Sequence, residues 1–99
     1  MKIEIPFNDW SKERLGLSVK NAKSRNKKYG NVGDTFIVGE SVYMLDLVVK
    51  LPLWFIAQEL WRTEGCICDI EFMGIWEKIH PRKGWVDNQE VWYHHFKEI

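Results

Sequence analysis

The strongest periodic signal in the chain lies directly after Pro52, a residue type that is tolerated in the first turn of a helix. Apolar side chains recur there at the spacing of one helix face, namely at Leu53, Ile56, Ala57, Leu60 and Trp61. Glu64 takes the next position of this stripe, just before Gly65. A helix dipole disfavours an anion at this end, and a buried carboxylate is costly unless it is paired. We therefore expect Glu64 to face a cation; the alternative is a frayed helix end with Glu64 in water.

A cationic stretch, residues 18–28, supplies candidate partners for that carboxylate. It holds five cations and no acid, in a chain whose formal net charge is zero. Its pattern alternates as in a β-strand, so one face is predicted to carry Asn21, Lys23 and Arg25. Ser24 then points to the opposite face, and Lys20 stands at the entrance of the strand. Because crowded cations repel, we expect an anion or a carbonyl group in front of them. The alternative is a solvated edge strand whose lysines block aggregation.

The remaining elements predict a single domain over residues 1–99. The expected order begins with a strand at residues 3–7 and a helix that is capped by Asn8 or Asp9 and broken at Gly16 and Ser18. The cationic strand follows, then a hairpin turn over residues 28–34 and strands at 35–38 and 42–51. The last elements are the helix after Pro52, a helix capped by Asp69 and ended by Pro81, and a strand at 91–99. We expect the strand at 42–51 to be well buried. This order predicts an α+β fold, a small mixed and partly closed β-barrel of about five strands with helices on its rim.

Other residues could also carry chemistry. The loop of residues 80–85 places Arg82 near Trp85, a pair suited to contacts with a phosphate or a base. His94 or His95 could act as a general base, although one of two neighbouring histidines more often has a packing role.

The composition limits the classes of function. Two cysteines, at 66 and 68, are too few for a disulfide framework and do not match a familiar metal-finger spacing, so we expect free thiols, no metal and no cofactor. The chain contains no apolar run long enough to span a bilayer and no signal-peptide core. These features favour a cytoplasmic protein without a membrane partner, and no obligate protein partner is evident.

Three features together resemble the ASCH domain of the PUA-like barrel superfamily, over nearly the whole chain. They are the segment Lys20-Asn21-Ala22-Lys23-Ser24-Arg25, the Gly33-Asp34 turn before the next strand, and Glu64 at a helix end. By size, the chain is most similar to the small bacterial amidohydrolases that act on N4-acetylcytidine. Other members of the family are thought to bind RNA, and some to cut it.

The resemblance implies a metal-independent amidohydrolase that takes a small modified nucleoside as its substrate. It implies that Lys20 polarises the carbonyl or steadies the oxyanion, and that Glu64 is the general acid and base. Those enzymes also use a threonine, and here the matching position is Lys23, with Ser24 next to it. We expect Lys23 to act as base or nucleophile, with Ser24 as the substitute if a bulge re-aims it. Asn21 and Arg25, with Arg82 and Trp85, would bind substrate. An RNA-binding module or a ribonuclease that uses the same basic strand are the alternatives.

Overall fold

A computed structural model describes residues 1–17 and 20–99, so the predicted helix break at Ser18 lies outside the described residues. The helices are α1 (Asp9–Gly16), α2 (Leu53–Phe55), which continues as a π-helical segment (Ile56–Leu60), and α3 (Asp69–Ile79). The strands are β1 (Ala22–Arg25), β2 (Thr35–Val38), β3 (Ser41–Pro52) and β4 (Glu90–Glu98). None of these helices is long and apolar enough to cross a bilayer.

The four strands form one antiparallel sheet in the order β1-β4-β3-β2, curled into a half-barrel. The predicted α+β fold with helices around a partly closed barrel is therefore confirmed. Two apolar cores lie on opposite faces of the sheet. The first core contains side chains of α2, the π-helical segment, α3, β1 and β4, including Ile56, Phe72 and Tyr93. The second core packs Leu15 of α1 and Ile5 against Phe36, Tyr43, Leu45 and Phe96.

Two of the predicted elements are wrong. Residues 3–7 form no strand, since the described contact is an isolated bridge between Lys2 and Thr35. Pro6 has no amide hydrogen to extend a ladder. The predicted alternation is still present in the side chains, because Ile5 is buried and Ile3 and Phe7 are half-buried against the second core, whereas Glu4 and Pro6 are exposed. The cationic strand also does not return as a hairpin, because β1 pairs with β4 and β2 pairs with β3. Residues 26–34 instead cross to the other edge of the sheet, and Gly30 packs there against Ile3 and Leu45.

The long strand β3 is present but is less buried than expected. Tyr43 and Leu45 are buried, whereas Leu47 is 48% exposed. The register with β4 shifts between Leu45 and Leu47, which leaves Asp46 as a bulge at an exposed position. A bulge turns the strand and interrupts the inward row, so only the first half of β3 contributes fully buried side chains.

The two helix starts differ in their caps. Asn8 caps α1 as predicted, because its side-chain oxygen accepts a hydrogen bond from the Ser11 amide at 2.8 Å. In α3 the cap position is Cys68, without a side-chain cap bond, and Asp69 is the first helical residue.

Gly65 ends the segment that carries Glu64, and it generates the first prediction. Its φ is +88°, and a Cβ added there would lie 3.0 Å from Lys20 Cβ and 3.2 Å from Arg14 Cβ. We expect Gly65→Ala to lower the free energy of unfolding by about 1–3 kcal/mol, because it combines a strained φ with a close contact. Chemical denaturation measures this loss.

Gly74 of α3 provides the matched control, since a Cβ there meets nothing within 4 Å. Gly74→Ala should stabilise the protein by about 0.5–1 kcal/mol, the usual gain in a helix interior. Equal effects of the two substitutions would contradict the role assigned to Gly65.

Candidate active site

A network of main-chain and hydroxyl hydrogen bonds joins the turn that carries Glu64 to the start of β1. The Thr63 carbonyl accepts hydrogen bonds from the Asn21 and Ala22 amides at 2.8 and 2.9 Å. The Thr63 hydroxyl donates to the Leu60 carbonyl at 2.8 Å, so the Tyr93 hydroxyl, 2.6 Å away, is the donor of the second bond. These bonds fix residue 64 beside residue 20, although 44 positions separate them in the sequence.

Lys20, Ser24 and Glu64 form a buried triad. Lys20 Nζ lies 3.6 Å from Glu64 Oε1 and donates a hydrogen bond of 2.9 Å to the Glu64 main-chain carbonyl. Ser24 Oγ donates to the other carboxylate oxygen, Oε2, at 2.6 Å. Lys20 is 5% exposed and Glu64 4% exposed, so the ions lie out of bulk water. The predicted cation partner of Glu64 is confirmed, and the frayed alternative is wrong.

Strand β1 is regular, and this determines which side chain reaches Glu64. Its pairing with β4 continues without a shift from Ala22 to Arg25. Ser24 therefore points away from Lys23, as alternation predicts, and it reaches Glu64 from that face without the bulge that the sequence interpretation required. Lys20 lies two residues before Ala22 in the same alternation, so Lys20 and Ser24 approach the carboxylate from one side.

Lys23 occupies the other face of β1. Its Nζ atom donates to the Pro6 carbonyl and lies 4.0 Å from the centre of the Phe7 ring. Arg25 donates to the same carbonyl at 3.0 Å. The prediction of a carbonyl group in front of these cations is thus confirmed. Burial, and next the nearby Arg25 charge, lower the pKa of Lys23 to about 6.

The triad borders a small cavity of about 40 Å³ at the edge of β1. Its wall includes Lys23 and Arg25 beside the triad, together with Trp10, Ser11, Cys66, Phe72, Ile75, Trp76 and Ile79. At about 10–15 Å³ per water, the space holds about three water molecules, or a group of similar size. The cavity can therefore hold an acyl amide, but it does not enclose a whole nucleoside.

Basic side chains outnumber acidic ones in the cavity wall. Lys20, Lys23 and Arg25 line it with a single carboxylate, Glu64. Burial lowers the pKa of Lys20, and the Glu64 carboxylate opposes that shift. Burial also raises the pKa of the neighbouring Cys66 thiol to about 12, so this cysteine is a protonated wall residue and not a thiolate nucleophile.

Three predicted site residues lie outside the cavity wall. Asn21 is exposed and contributes its main chain to the Thr63 contact described above. Arg82 is exposed in the loop after α3. Trp85 packs edge-on against Phe72, with its indole nitrogen donating to Asp87.

His94 has a structural role. The Tyr29 amide donates to its Nε2 at 3.0 Å, so Nδ1 carries the proton and donates to the Lys23 carbonyl at 3.1 Å. His94 is fully buried, and both of its ring nitrogens form hydrogen bonds. It therefore holds β1 and the following loop against β4. His95 pairs with Asp46 at 2.6 Å and also lies outside the cavity wall.

The sequence interpretation missed Trp76, whose position on the apolar face of α3 predicted only core packing. It is 4% exposed and borders the cavity, and its indole N–H has no hydrogen-bond partner among the described residues. A buried donor without a partner costs about 1–3 kcal/mol, so this group is available to a carbonyl oxygen in the cavity. Both cysteines are free, and no group of three metal-ligating side chains occurs in the described ranges.

The half-barrel and its edge cavity define an α+β protein of the ASCH type in fold. A solved ASCH domain from Lactobacillus crispatus JV V101 matches with a TM-score of 0.75 and 10% identity, over 98% of this chain and 77% of that one. A DUF984 protein from Enterococcus faecalis V583 matches with a TM-score of 0.68 and 17% identity, over 99% of this chain and 74% of that one. No family model and no curated protein sequence matches the chain. At these identities the likeness shows the fold alone, and to that extent it confirms the resemblance.

The buried Lys23 generates a prediction on pH and stability. Its pKa falls from 10.5 to about 6 on folding, so between these values the unfolded chain binds a proton that the folded protein does not. Stability should then rise with pH above about 6, with a slope approaching about 1.4 kcal/mol per pH unit for one proton. We expect Lys23→Met to lose most of this slope.

Urea denaturation between about pH 6.5 and 7.5 measures this slope, because unfolded thiols and tyrosines stay largely protonated in that range. Lys12→Met, at an exposed position of α1, is the control and should keep the wild-type slope. A Lys23→Met slope equal to that of the wild type would refute the assignment.

Proposed function

We propose that this protein is a hydrolase that removes an acyl group from the exocyclic N4 nitrogen of a cytidine-type nucleoside. The observation that carries the proposal is the 2.6 Å hydrogen bond from Ser24 Oγ to Glu64 Oε2, made beside Lys20 in a cavity of acyl size. A hydroxyl bonded to a carboxylate base is an arrangement suited to nucleophilic catalysis. The substrate class comes from the resemblance to the small N4-acetylcytidine amidohydrolases.

In the first step, Ser24 Oγ attacks the amide carbonyl carbon while its proton passes to the Glu64 carboxylate. The carbonyl oxygen becomes an oxyanion, and the Lys20 ammonium has a third N–H to offer it beyond the two directions already occupied. The C–N bond then breaks, and the amine leaves with the proton from Glu64. An acyl ester of Ser24 remains.

In the second step, water attacks the ester with Glu64 as general base, and the ester bond breaks. Ser24 recovers its proton through Glu64, and the acid is released, as acetate from an acetyl substrate. No group is consumed, so Lys20, Ser24 and Glu64 return to their starting state. Glu64 thus keeps the acid and base role that the resemblance implies, and Ser24 replaces the threonine.

The remaining wall residues fit a small acyl group. Phe72, Ile75 and Ile79 provide an apolar surface suited to a methyl group, and the Trp76 indole N–H is a further donor for the oxyanion. The sugar has to remain outside the cavity, where Arg25 and the exposed Asn21 are the nearest predicted contacts to it. We place the reaction in the cytoplasm, since free Cys66 and Cys68 suit a reducing compartment.

The roles of Ser24 and Lys23 can be separated by substitution. We expect Ser24→Ala to lower kcat for N4-acetylcytidine by a hundredfold or more, on the order of the loss of a nucleophile or of a positioned acid/base group. Lys23→Thr should retain most of the activity, because Lys23 bonds to Pro6 and not to Glu64. Release of cytidine at saturating substrate, followed by chromatography, measures both.

Lys20→Ala and Glu64→Gln should lose activity on the same scale as Ser24→Ala, and circular dichroism checks that each variant is folded. An active Ser24→Ala together with an inactive Lys23→Thr would make Lys23 the base or nucleophile. Absence of hydrolysis by the wild-type protein, for any N4-acylated cytidine, would overturn the proposed function.

The cavity size predicts a steep preference for short acyl groups. N4-acetylcytidine should be hydrolysed at least tenfold faster than N4-benzoylcytidine, measured as kcat/KM, because a benzoyl group exceeds a space for about three waters. Turnover of these neutral nucleosides should change little with salt, since no phosphate is screened. Equal rates for both acyl groups would show that the cavity does not hold the acyl end.

A further inference from the structure

A row of side chains crosses three strands on the face of the sheet that carries the second core. Arg25 of β1 and Lys50 of β3 stand directly opposite Trp92 of β4, one on each side. Residues directly opposite one another in an antiparallel sheet share a face, so the three side chains are neighbours. Trp92 lies two residues before the buried His94 on β4. At this point the face extends past the second core and becomes accessible to solvent.

Two further lysines complete the surface from the loop after β1. Lys28 Nζ lies 5.2 Å from the centre of the Trp92 ring, and Lys50 Nζ lies 5.9 Å from it. Lys27 Nζ lies 5.5 Å from the Tyr29 ring. The three lysines are exposed, and the Trp92 and Tyr29 rings are half-buried. We call this set, residues 25, 27, 28, 29, 50 and 92, the tryptophan row.

The charge of the row is not balanced locally. Within residues 1–17 and 20–99, none of its four cations forms an ion pair with a carboxylate. Glu90, two residues before Trp92 on β4, is the acid of that strand nearest in sequence, and it is exposed. In a chain of zero net charge, four cations around two rings form a local basic patch.

We propose that the tryptophan row binds single-stranded nucleic acid. A base stacks on the Trp92 ring, and Lys28 and Lys50 move from the ring to the phosphates on either side of that base. Lys27 and Tyr29 repeat the arrangement for the adjacent nucleotide. Stacking accepts any base and lysines accept any phosphate, so the surface has little sequence preference. An acidic peptide would satisfy the lysines but not the rings, and it is an outcome of the test.

The surface is separate from the proposed reaction. Arg25 is shared, since it also borders the cavity, so it is left unchanged in the experiment. Lys28, Lys50 and Trp92 are not part of the cavity wall, and their variants should hydrolyse a free nucleoside at the wild-type rate. Binding and hydrolysis can therefore fail independently.

The experiment is fluorescence anisotropy with end-labelled oligouridylate and oligodeoxyuridylate of about 12 nucleotides, at several salt concentrations. We expect both to bind, and Lys28→Ala/Lys50→Ala to weaken binding about tenfold or more at low salt. The double variant should also lower the slope of log affinity against log salt by about 1.4, at about 0.7 per lost phosphate contact. Unequal affinities for the two probes would show whether the ribose hydroxyl contributes.

Substitution of the ring tests stacking apart from charge. Trp92→Leu should weaken binding by roughly five- to hundredfold, and Trp92→Phe should retain most of it. Lys78→Ala/Lys83→Ala removes two exposed lysines elsewhere and should leave the affinity within about twofold. Thermal denaturation checks that each variant is folded, and the lysine variants keep the test valid if Trp92→Leu does not fold.

Three results would overturn the proposal. One is no binding of either oligonucleotide at low salt. Another is an equal loss in the two double-lysine variants, which would indicate diffuse charge. The third is a combination of two findings: inorganic polyphosphate or polyglutamate competes as strongly as an oligonucleotide, and Trp92→Leu keeps the wild-type affinity. The surface would then bind polyanions without stacking.

Discussion

The burial of Glu64 is the constraint on which the rest of this structure depends. A carboxylate removed from water costs several kcal/mol unless a cation and hydrogen bonds replace the solvent. Here Lys20 and Ser24 provide that replacement, and Lys20 in turn depends on Glu64 for its own charge. A pair like this seldom adds net stability, so its presence in a chain of 99 residues supports the proposed catalytic role.

The edge strand β1 serves two purposes because its faces carry different chemistry. On one face, Ser24 donates a hydrogen bond to the Glu64 carboxylate. On the other face, Lys23 and Arg25 donate to the Pro6 carbonyl, and these two bonds hold the N-terminal segment in place. The contacts of Lys23 therefore account for a lysine at this position. In the proposed mechanism the hydroxyl comes from Ser24, one position later and on the opposite face.

The cavity and the tryptophan row suit different ligands. The cavity is small, so in the proposed function it holds only the acyl end of a neutral amide, beside Lys20 and Glu64. The lysines of the row are exposed, which suits the proposed contacts with a chain of phosphates. Arg25 belongs to both surfaces.

The sequence by itself determined which side chains share a face. Helical spacing placed Glu64 on the buried stripe after Leu53, and alternation separated Ser24 from Lys23, because both patterns follow from local backbone geometry. The cap of α1 at Asn8 and the α+β class followed from the same local rules. These rules act over a few residues, so they are informative on the faces of an element and not on whether its backbone finds a partner.

Only the tertiary structure decided which elements meet. The pairing of β1 with β4, the crossing loop in place of a hairpin, and the convergence of Lys20, Ser24 and Glu64 over more than 40 positions depend on packing between distant segments. The same packing placed Trp76 at the cavity and fixed Trp85 against Phe72. Local periodicity specifies a face, and long-range packing specifies what that face contacts.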